Sequence, residues 1–236
     1  MFGVLVLIVI IVVSSLGAIK YHYSVKEKKA IQLAQNYLAQ KYTQEMRFLN
    51  VRLPLTLDGA YYHVYFSPIN NPDLIFEVGV WPNLTLLIST DDYYLRFVSL
   101  NIEKAFQNDV HKVWDVSADI YIYANYSIRY SYEIPIELNE QMDAVEIAPF
   151  LDYEFGIDTN RSLENDSKGE EAQKMFELIQ IVQASNYTPT EIYFRYQTEG
   201  IKEGTNVKKS IQFENWAQIS SIEEIEKIMD EQWFNK

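Results

Sequence analysis

Three pairs of adjacent carboxylates at predicted helix starts, together with three histidines, are residues of this sequence whose types could support acid–base or metal chemistry. The carboxylate pairs are Asp91-Asp92, Glu170-Glu171 and Glu223-Glu224. Each pair stands at a predicted helix start, where capping and the helix dipole favour negative charge. His63 and His111 could bind a metal with a carboxylate, but we favour the explanation that they are two unrelated structural histidines. We therefore predict no catalytic residue, no metal site and no cofactor.

Motifs that identify enzyme classes are absent from the sequence. It contains no Gly-x-Gly-x-x-Gly, no Walker phosphate loop, no His-Glu-x-x-His, no Gly-x-Ser-x-Gly and no calcium-binding loop. It also contains no cysteine, which excludes disulfides, thiolate catalysis, cysteine-ligated zinc and a lipid-modified N-terminal cysteine.

The clearest strand pattern runs from Ala118 to Ile134. Its even positions are apolar or tyrosine, whereas its odd positions carry mainly polar residues and two tyrosines. This period of two predicts one face toward the core and one toward solvent. Exposed tyrosine is enriched at protein interfaces. The residues that we predict to form a binding face are Asp119, Tyr121, Tyr123 and Arg129.

Other tyrosines also fall on the polar side of predicted strands, namely Tyr61, Tyr65 and Tyr193. Either these rings form contact surfaces, or a helix or a second sheet covers them.

The chain is strongly acidic, with 33 Asp and Glu against 20 Lys and Arg and a net charge of −13. A charge of this sign disfavours binding to nucleic acid or to an anionic lipid surface. It favours a protein partner whose contact surface is basic.

Residues 1–19 contain no charged side chain and are almost wholly apolar. As a helix they would span roughly 28 Å, close to the hydrocarbon thickness of a bilayer. A cleaved signal peptide is the alternative, but no basic residue precedes the apolar run and Ser15-Leu16-Gly17 is only a passable cleavage site. We predict a retained membrane anchor over 1–19 and a juxtamembrane linker over 20–25.

The orientation of this anchor has two interpretations. The lysines nearest the predicted span, Lys20, Lys26, Lys28 and Lys29, all follow it, which favours a cytoplasmic domain. The absence of cysteine and the frequent use of one N-terminal span to anchor exported domains favour the outer face. We expect an extracytoplasmic domain, with the cytoplasmic orientation left open.

Beyond the linker, the periodicity predicts an α+β fold in which helices pack on antiparallel sheets. Two capping-box patterns, Ser167-x-x-Glu170 and Ser220-x-x-Glu223, predict helix starts. Pro135 marks a possible boundary between two similar α+β units, 26–135 and 136–236. Predicted helices cover 26–42, 91–111 and 138–148 and begin near Ser167 and Ser220; predicted strands cover 47–57, 60–67, 75–81, 118–134, 152–159, 192–196 and 207–213.

The apolar leader is followed by the helix Ala30-x-x-x-Ala34-x-x-Tyr37-Leu38-x-x-Lys41-Tyr42 and then by antiparallel strands. In this order of elements, residues 1–82 resemble the membrane-anchored PepSY-like and cystatin-like proteins of Gram-positive bacteria. The resemblance implies an extracytoplasmic protein-binding or inhibitory role and carries over no catalytic residue.

The sequence is thus compatible with three function classes. The first, which we favour, is a single-pass membrane-anchored module of the inhibitor, immunity or adaptor type that binds a protein stoichiometrically. The second is a structural subunit of an envelope or secretion complex, and the third is an enzyme with carboxylate or metal chemistry.

Overall fold

The computed structural model describes residues 24–52, 61–81, 83–115, 118–126, 138, 140–197 and 208–234. The chain divides into two compact units, Met1–Tyr93 and Tyr94–Lys236. The predicted anchor over 1–19, Arg129 and the proposed boundary at Pro135 lie outside the described residues. No helix within the described ranges is long and apolar enough to span a bilayer.

Among its described residues, the first unit contains one helix and one antiparallel sheet. Residues 24–41 form helix α1. The strands are β1 (Met46–Arg52), β2 (Tyr62–Pro68), β3 (Phe76–Val80) and β4 (Leu86–Asp91), and they lie side by side in chain order. The predicted antiparallel hairpin between the second and third strands is confirmed. Strand β4 was not predicted.

Alternation in β2 and β3 supplies the buried face of this sheet. Its buried side chains are Tyr62, Val64, Phe66, Phe76, Val78 and Val80. Helix α1 buries Ala30, Ala34 and Leu38, which recur at the spacing of one helical face. Small residues at two of these positions allow the backbone of a helix to approach its neighbour closely.

A buried carboxylate connects α1 to this sheet. Asp91, at the end of β4, is 3% exposed. It accepts hydrogen bonds from the hydroxyls of Tyr37 at 2.7 Å and Tyr42 at 2.9 Å, and from Lys41 Nζ at 3.0 Å. A buried charge is tolerated only when it is paired and hydrogen-bonded. The contacts of Asp91 satisfy both conditions.

The second unit contains a mixed sheet and most of the helices. Its strands are β5 (Asp119–Tyr126), β6 (Leu151–Ser162), β7 (Glu191–Gln197) and β8 (Lys208–Phe213), in the order β5-β6-β7-β8. The prediction of purely antiparallel pairing is wrong here, because β6 and β7 are parallel. The chain between them forms helix α4 (Lys168–Gln183), so this segment is a β-α-β crossover. The predicted hairpin of β7 and β8 is confirmed.

Three further helices complete this unit: α2 (Tyr93–Trp114), α3 (Ala144–Ile147) and α5 (Ile222–Met229). Aromatic contacts pack α2 on one face of the sheet. The rings of Phe106 and Phe155 lie 5.1 Å apart, and those of Trp114 and Phe194 lie 5.4 Å apart. Helix α2 and β5, which were predicted for the unit over 26–135, therefore group with the later strands.

Three predicted helix starts need correction. Asp91 belongs to β4, and the first turn of α2 contains no acidic residue, although Tyr93 N donates to Asp91 Oδ1 at 3.2 Å. Ser167 precedes α4 without a side-chain cap, because a 3-10 turn over Asn165–Ser167 leads into that helix. The capping box of α5 uses Ser221 and Glu224, one residue later than predicted.

Replacing Asp91 with alanine should lower the free energy of unfolding of the first unit by about 2–4 kcal/mol, since two hydroxyls and an ammonium group lose their buried acceptor. Urea unfolding measures the effect. The matched control is Glu45→Ala, which removes an exposed carboxylate of the same unit and should change the free energy by less than about 0.5 kcal/mol. Equal effects of the two substitutions would contradict this role for Asp91.

Candidate functional site

One face of the second sheet carries the predicted binding residues. The register aligns three rows of outward-pointing side chains across β5, β6 and β7. We call this surface the tyrosine face, and its rows are Tyr123–Glu154–Glu191, Tyr121–Gly156–Tyr193 and Asp119–Asp158–Arg195.

Two tyrosines of this face are open to solvent. The exposed fraction is 42% for Tyr121 and 61% for Tyr123. The apolar positions between and beyond them point to the opposite face, where Ile157 and Phe155 are buried. The predicted alternation is therefore confirmed over Asp119–Ala124 of β5, while Ile122 is only half-buried because β5 is an edge strand.

Tyr193 lies on the same face but is only 5% exposed. Gly156, its neighbour on β6, explains the difference. A side chain at Gly156 would overlap the ring of Tyr193, so the missing Cβ leaves the space that this ring fills. Of the two alternatives for Tyr193, exposure and burial, the structure shows burial.

Carboxylates without a cationic partner border the exposed tyrosines. Glu154 and Glu191 form no ion pair with the described residues, and Glu191 Oε1 is buried without a hydrogen-bond partner there. Burial, followed by the like charges of Glu154 and Glu214, raises the pKa of the Glu191 carboxyl above its usual value. A cation supplied from outside would relieve this repulsion.

The third row is partly neutralised. Asp158 is buried and pairs with Lys208 of β8. Asp119 is exposed and accepts a hydrogen bond from Asn160 Nδ2 at 3.2 Å. The Asp119 carboxylate therefore contributes negative charge at the edge of the tyrosine face, whereas the Asp158 carboxylate is paired with Lys208 inside the sheet.

The outward face of the first sheet has a similar composition, but its carboxylate lies against a histidine of the same sheet. His63 Nδ1 lies 2.7 Å from Glu77 Oε1, and the rings of Tyr61 and His63 lie 4.2 Å apart. Burial, followed by the charge of Glu77, raises the pKa of both Tyr61 and Tyr65. Because Glu77 already lies against a histidine, it is less available to a partner than Glu154 and Glu191.

The other residues that could support chemistry are spread over both units. His63 belongs to the first unit and His111 to the second. Within the described ranges, no group of three or more His, Asp and Glu side chains is arranged to hold a metal ion. His111 lines a cavity of about 260 Å³ between α2 and β5, whose other lining residues are Leu100, Glu103, Lys104, Gln107, Ala118, Asp119 and Ile120. Burial raises the pKa of Glu103 in this cavity.

Glu171, from one of the three carboxylate pairs, is a structural residue. It is 5% exposed and accepts from Trp114 Nε1 at 2.9 Å, Tyr196 Oη at 2.8 Å and Lys174 Nζ at 2.8 Å. Its neighbour Glu170 is exposed and pairs with Lys174. All three donors to Glu171 come from the second unit, and together they engage both oxygens of this carboxylate.

The sequence pattern predicts Tyr121, Tyr123 and Asp119 for the tyrosine face but does not predict Glu154, Glu191 and Arg195. Glu154 comes beside Tyr123 through the antiparallel pairing of β5 with β6, whereas Glu191 and Arg195 join this face only through the parallel pairing of β6 with β7. Arg129, the fourth predicted residue, lies outside the described residues.

No protein-family model matches this chain, and no curated protein matches it. A crystal structure of a DUF5037 family protein from Ruminococcus gnavus is similar over 84% of this chain and 98% of its own, with a TM-score of 0.45 and 15% sequence identity. A likeness at this level carries no argument about function.

The raised pKa of Glu191 predicts a pH-dependent effect of Glu191→Gln on stability. Between the usual glutamate pKa and the raised value, the folded state binds more protons than the unfolded state, so stability falls as the pH rises. At pH 7 the substitution should therefore increase the free energy of unfolding, by less than about 1 kcal/mol because the site is partly exposed. Below the usual pKa the difference should vanish.

Urea unfolding at pH 7 and pH 3.5 measures this effect. Glu177→Gln, an exposed position of α4, is the matched control and should change stability little at either pH. A loss of stability in Glu191→Gln at pH 7 would show that the carboxylate is satisfied in the folded protein.

Proposed function

We propose that this chain is a membrane-anchored protein-binding module that acts by stoichiometric binding through the tyrosine face. The observation that carries the proposal is the position of the exposed Tyr121 and Tyr123 beside Glu154 and Glu191, two carboxylates with no cationic partner among the described residues. The partner would present lysine or arginine to these carboxylates.

Two physical effects support binding at this surface. Long-range attraction between an acidic domain and a basic partner speeds encounter. Tyrosine then provides a large, stiff contact area with a hydrogen-bonding end, which is why it is frequent among residues that dominate binding energy. Both effects apply at Tyr123, since its ring is mostly exposed and the negatively charged Glu154 is its cross-strand neighbour.

The unmet interactions of Glu191 also favour a binding role over a structural one. A carboxylate that is partly desolvated beside like charges destabilises the fold. Strain of this kind is retained where function requires it. Binding of a cationic group would recover the lost stability, so the tyrosine face should be more stable in the complex than alone.

The membrane anchor belongs to the same proposal and depends on the uncharged run over residues 1–19. The proposed location is the cell membrane, with the binding units outside the cytoplasm, in agreement with the role implied by the resemblance of residues 1–82. An integral span should remain in the membrane pellet after alkaline carbonate treatment. Recovery of the chain in the supernatant would contradict the anchor and leave the binding face untouched.

Site-specific photo-cross-linking tests the binding face in cells that produce the chain. A photoreactive amino acid at position 123 should give one discrete adduct, and the cross-linked partner peptide should be rich in lysine or arginine. The same amino acid at position 177, on the exposed side of α4, is the control and should give no discrete adduct.

The double substitution Glu154→Gln and Glu191→Gln should weaken the adduct at position 123 about tenfold, because it removes both charges offered to the partner. Adducts of equal yield at positions 123 and 177 would contradict the proposal. An acidic or uncharged cross-linked peptide would contradict the basic partner.

A further inference from the structure

Arg195 is a cation of the tyrosine face that is held by rings instead of by a carboxylate. It lies on β7, an inner strand of the second sheet. Its guanidinium carbon is 4.8 Å from the centroid of the Tyr193 ring and 5.7 Å from that of the Tyr121 ring. Both distances fall within the range of cation–π attraction. The guanidinium therefore contacts Tyr121 and Tyr193, which lie in the neighbouring row.

No described carboxylate pairs with this guanidinium. Asp158, its partner in register on β6, is engaged by Lys208. Asp119, in the same row, accepts from Asn160. A guanidinium carries five N–H donors, and ring faces satisfy few of them.

The surroundings of Arg195 fix its position before any partner binds. Gly156 leaves the space into which the Tyr193 ring packs, and this buried ring supports one side of the guanidinium. Thr159 Oγ1 donates a hydrogen bond to the carbonyl oxygen of Arg195 at 3.0 Å, which holds β7 at this residue. Prior ordering reduces the entropy lost on binding.

We infer that Arg195 binds a carboxylate of the protein partner, so that the partner surface carries one acidic side chain among basic ones. The planar fork of arginine matches a carboxylate with two parallel hydrogen bonds. A phosphate dianion is a poorer match, because Glu154, Glu191, Asp119 and Asp158 would repel its second charge. This inference rests on the proposed function and specifies the chemistry of its contact surface.

Two synthetic peptides, acetylated and amidated, test the inference: Lys-Lys-Glu-Lys-Lys and Lys-Lys-Gln-Lys-Lys. The peptide with Gln carries one more positive charge, so attraction to an acidic surface alone would make it the tighter ligand. If Arg195 binds a carboxylate, the peptide with Glu should bind more tightly by at least about threefold. Fluorescence anisotropy with the whole chain in uncharged detergent at low salt measures both affinities.

Arg195→Gln should reverse this preference, and Arg195→Lys should weaken it, because an ammonium group keeps the charge but loses the fork. The matched control is Lys227→Gln, which removes one positive charge from the exposed side of α5 and should keep the preference for Glu. Circular dichroism confirms that each variant is folded before it is compared.

Equal affinities, or tighter binding of the peptide with Gln to the unmodified chain, would overturn the inference and leave the proposed basic partner intact. A preference for Glu that persists in Arg195→Gln would also overturn it. Failure of both peptides to bind at low salt would overturn the inference and the proposed function together.

Discussion

The buried carboxylate of Glu171 is the interaction on which the second unit depends. It gathers an indole from α2, a hydroxyl from β7 and an ammonium group from its own helix α4. Burial, followed by the charge of Glu171, raises the pKa of Tyr196 well above its usual value, so the hydroxyl remains a donor. A saturated carboxylate of this kind fixes the position of each element that contacts it.

This inner contact also determines what the outer surface presents. Successive side chains of a strand point to opposite faces, so an inward Tyr196 places Arg195 outward. Tyr193 points outward for the same reason and packs over Gly156. The tyrosine face is thus positioned by a contact on the opposite, buried side of β7. Substituting Glu171 would disturb the buried contact of Tyr196 and, through β7, the tyrosine face. Substituting Tyr123 would disturb the tyrosine face alone.

The carboxylates of the chain differ in how fully their oxygens are bonded within the protein. Asp91 and Glu171 are buried and saturated by donors from several elements. Glu77 lies against His63, whose Nδ1 is 2.7 Å from Glu77 Oε1. Glu154 and Glu191 lack such partners among the described residues, and Glu191 shows the consequence as a raised pKa. Which carboxylates lack bonding partners, more than how many acidic residues there are, indicates the tyrosine face as the candidate binding surface.

Local periodicity predicted much of the fold, and contacts between distant residues accounted for the errors. The β2–β3 hairpin, helix α2 and the alternation of β5 all follow from patterns within a single segment. The parallel pairing of β6 with β7 depends on a crossover and has no local pattern, so Glu191 and Arg195 could not be assigned to the site. Glu171 could have been found, because it lies four residues before the buried Met175 on the apolar side of α4. The burial of Tyr193 could not, since it depends on a glycine of another strand.

Hydroxyl-radical footprinting most directly tests the claim that a partner covers the tyrosine face. The reactivity of Tyr121 and Tyr123 is compared between intact cells and the purified chain. Trp81, which is 37% exposed on the first unit, is the internal reference. The account predicts that both tyrosines react in the purified chain and are protected in cells, while Trp81 reacts equally in both. Equal reactivity of Tyr121 and Tyr123 in the two preparations would contradict it.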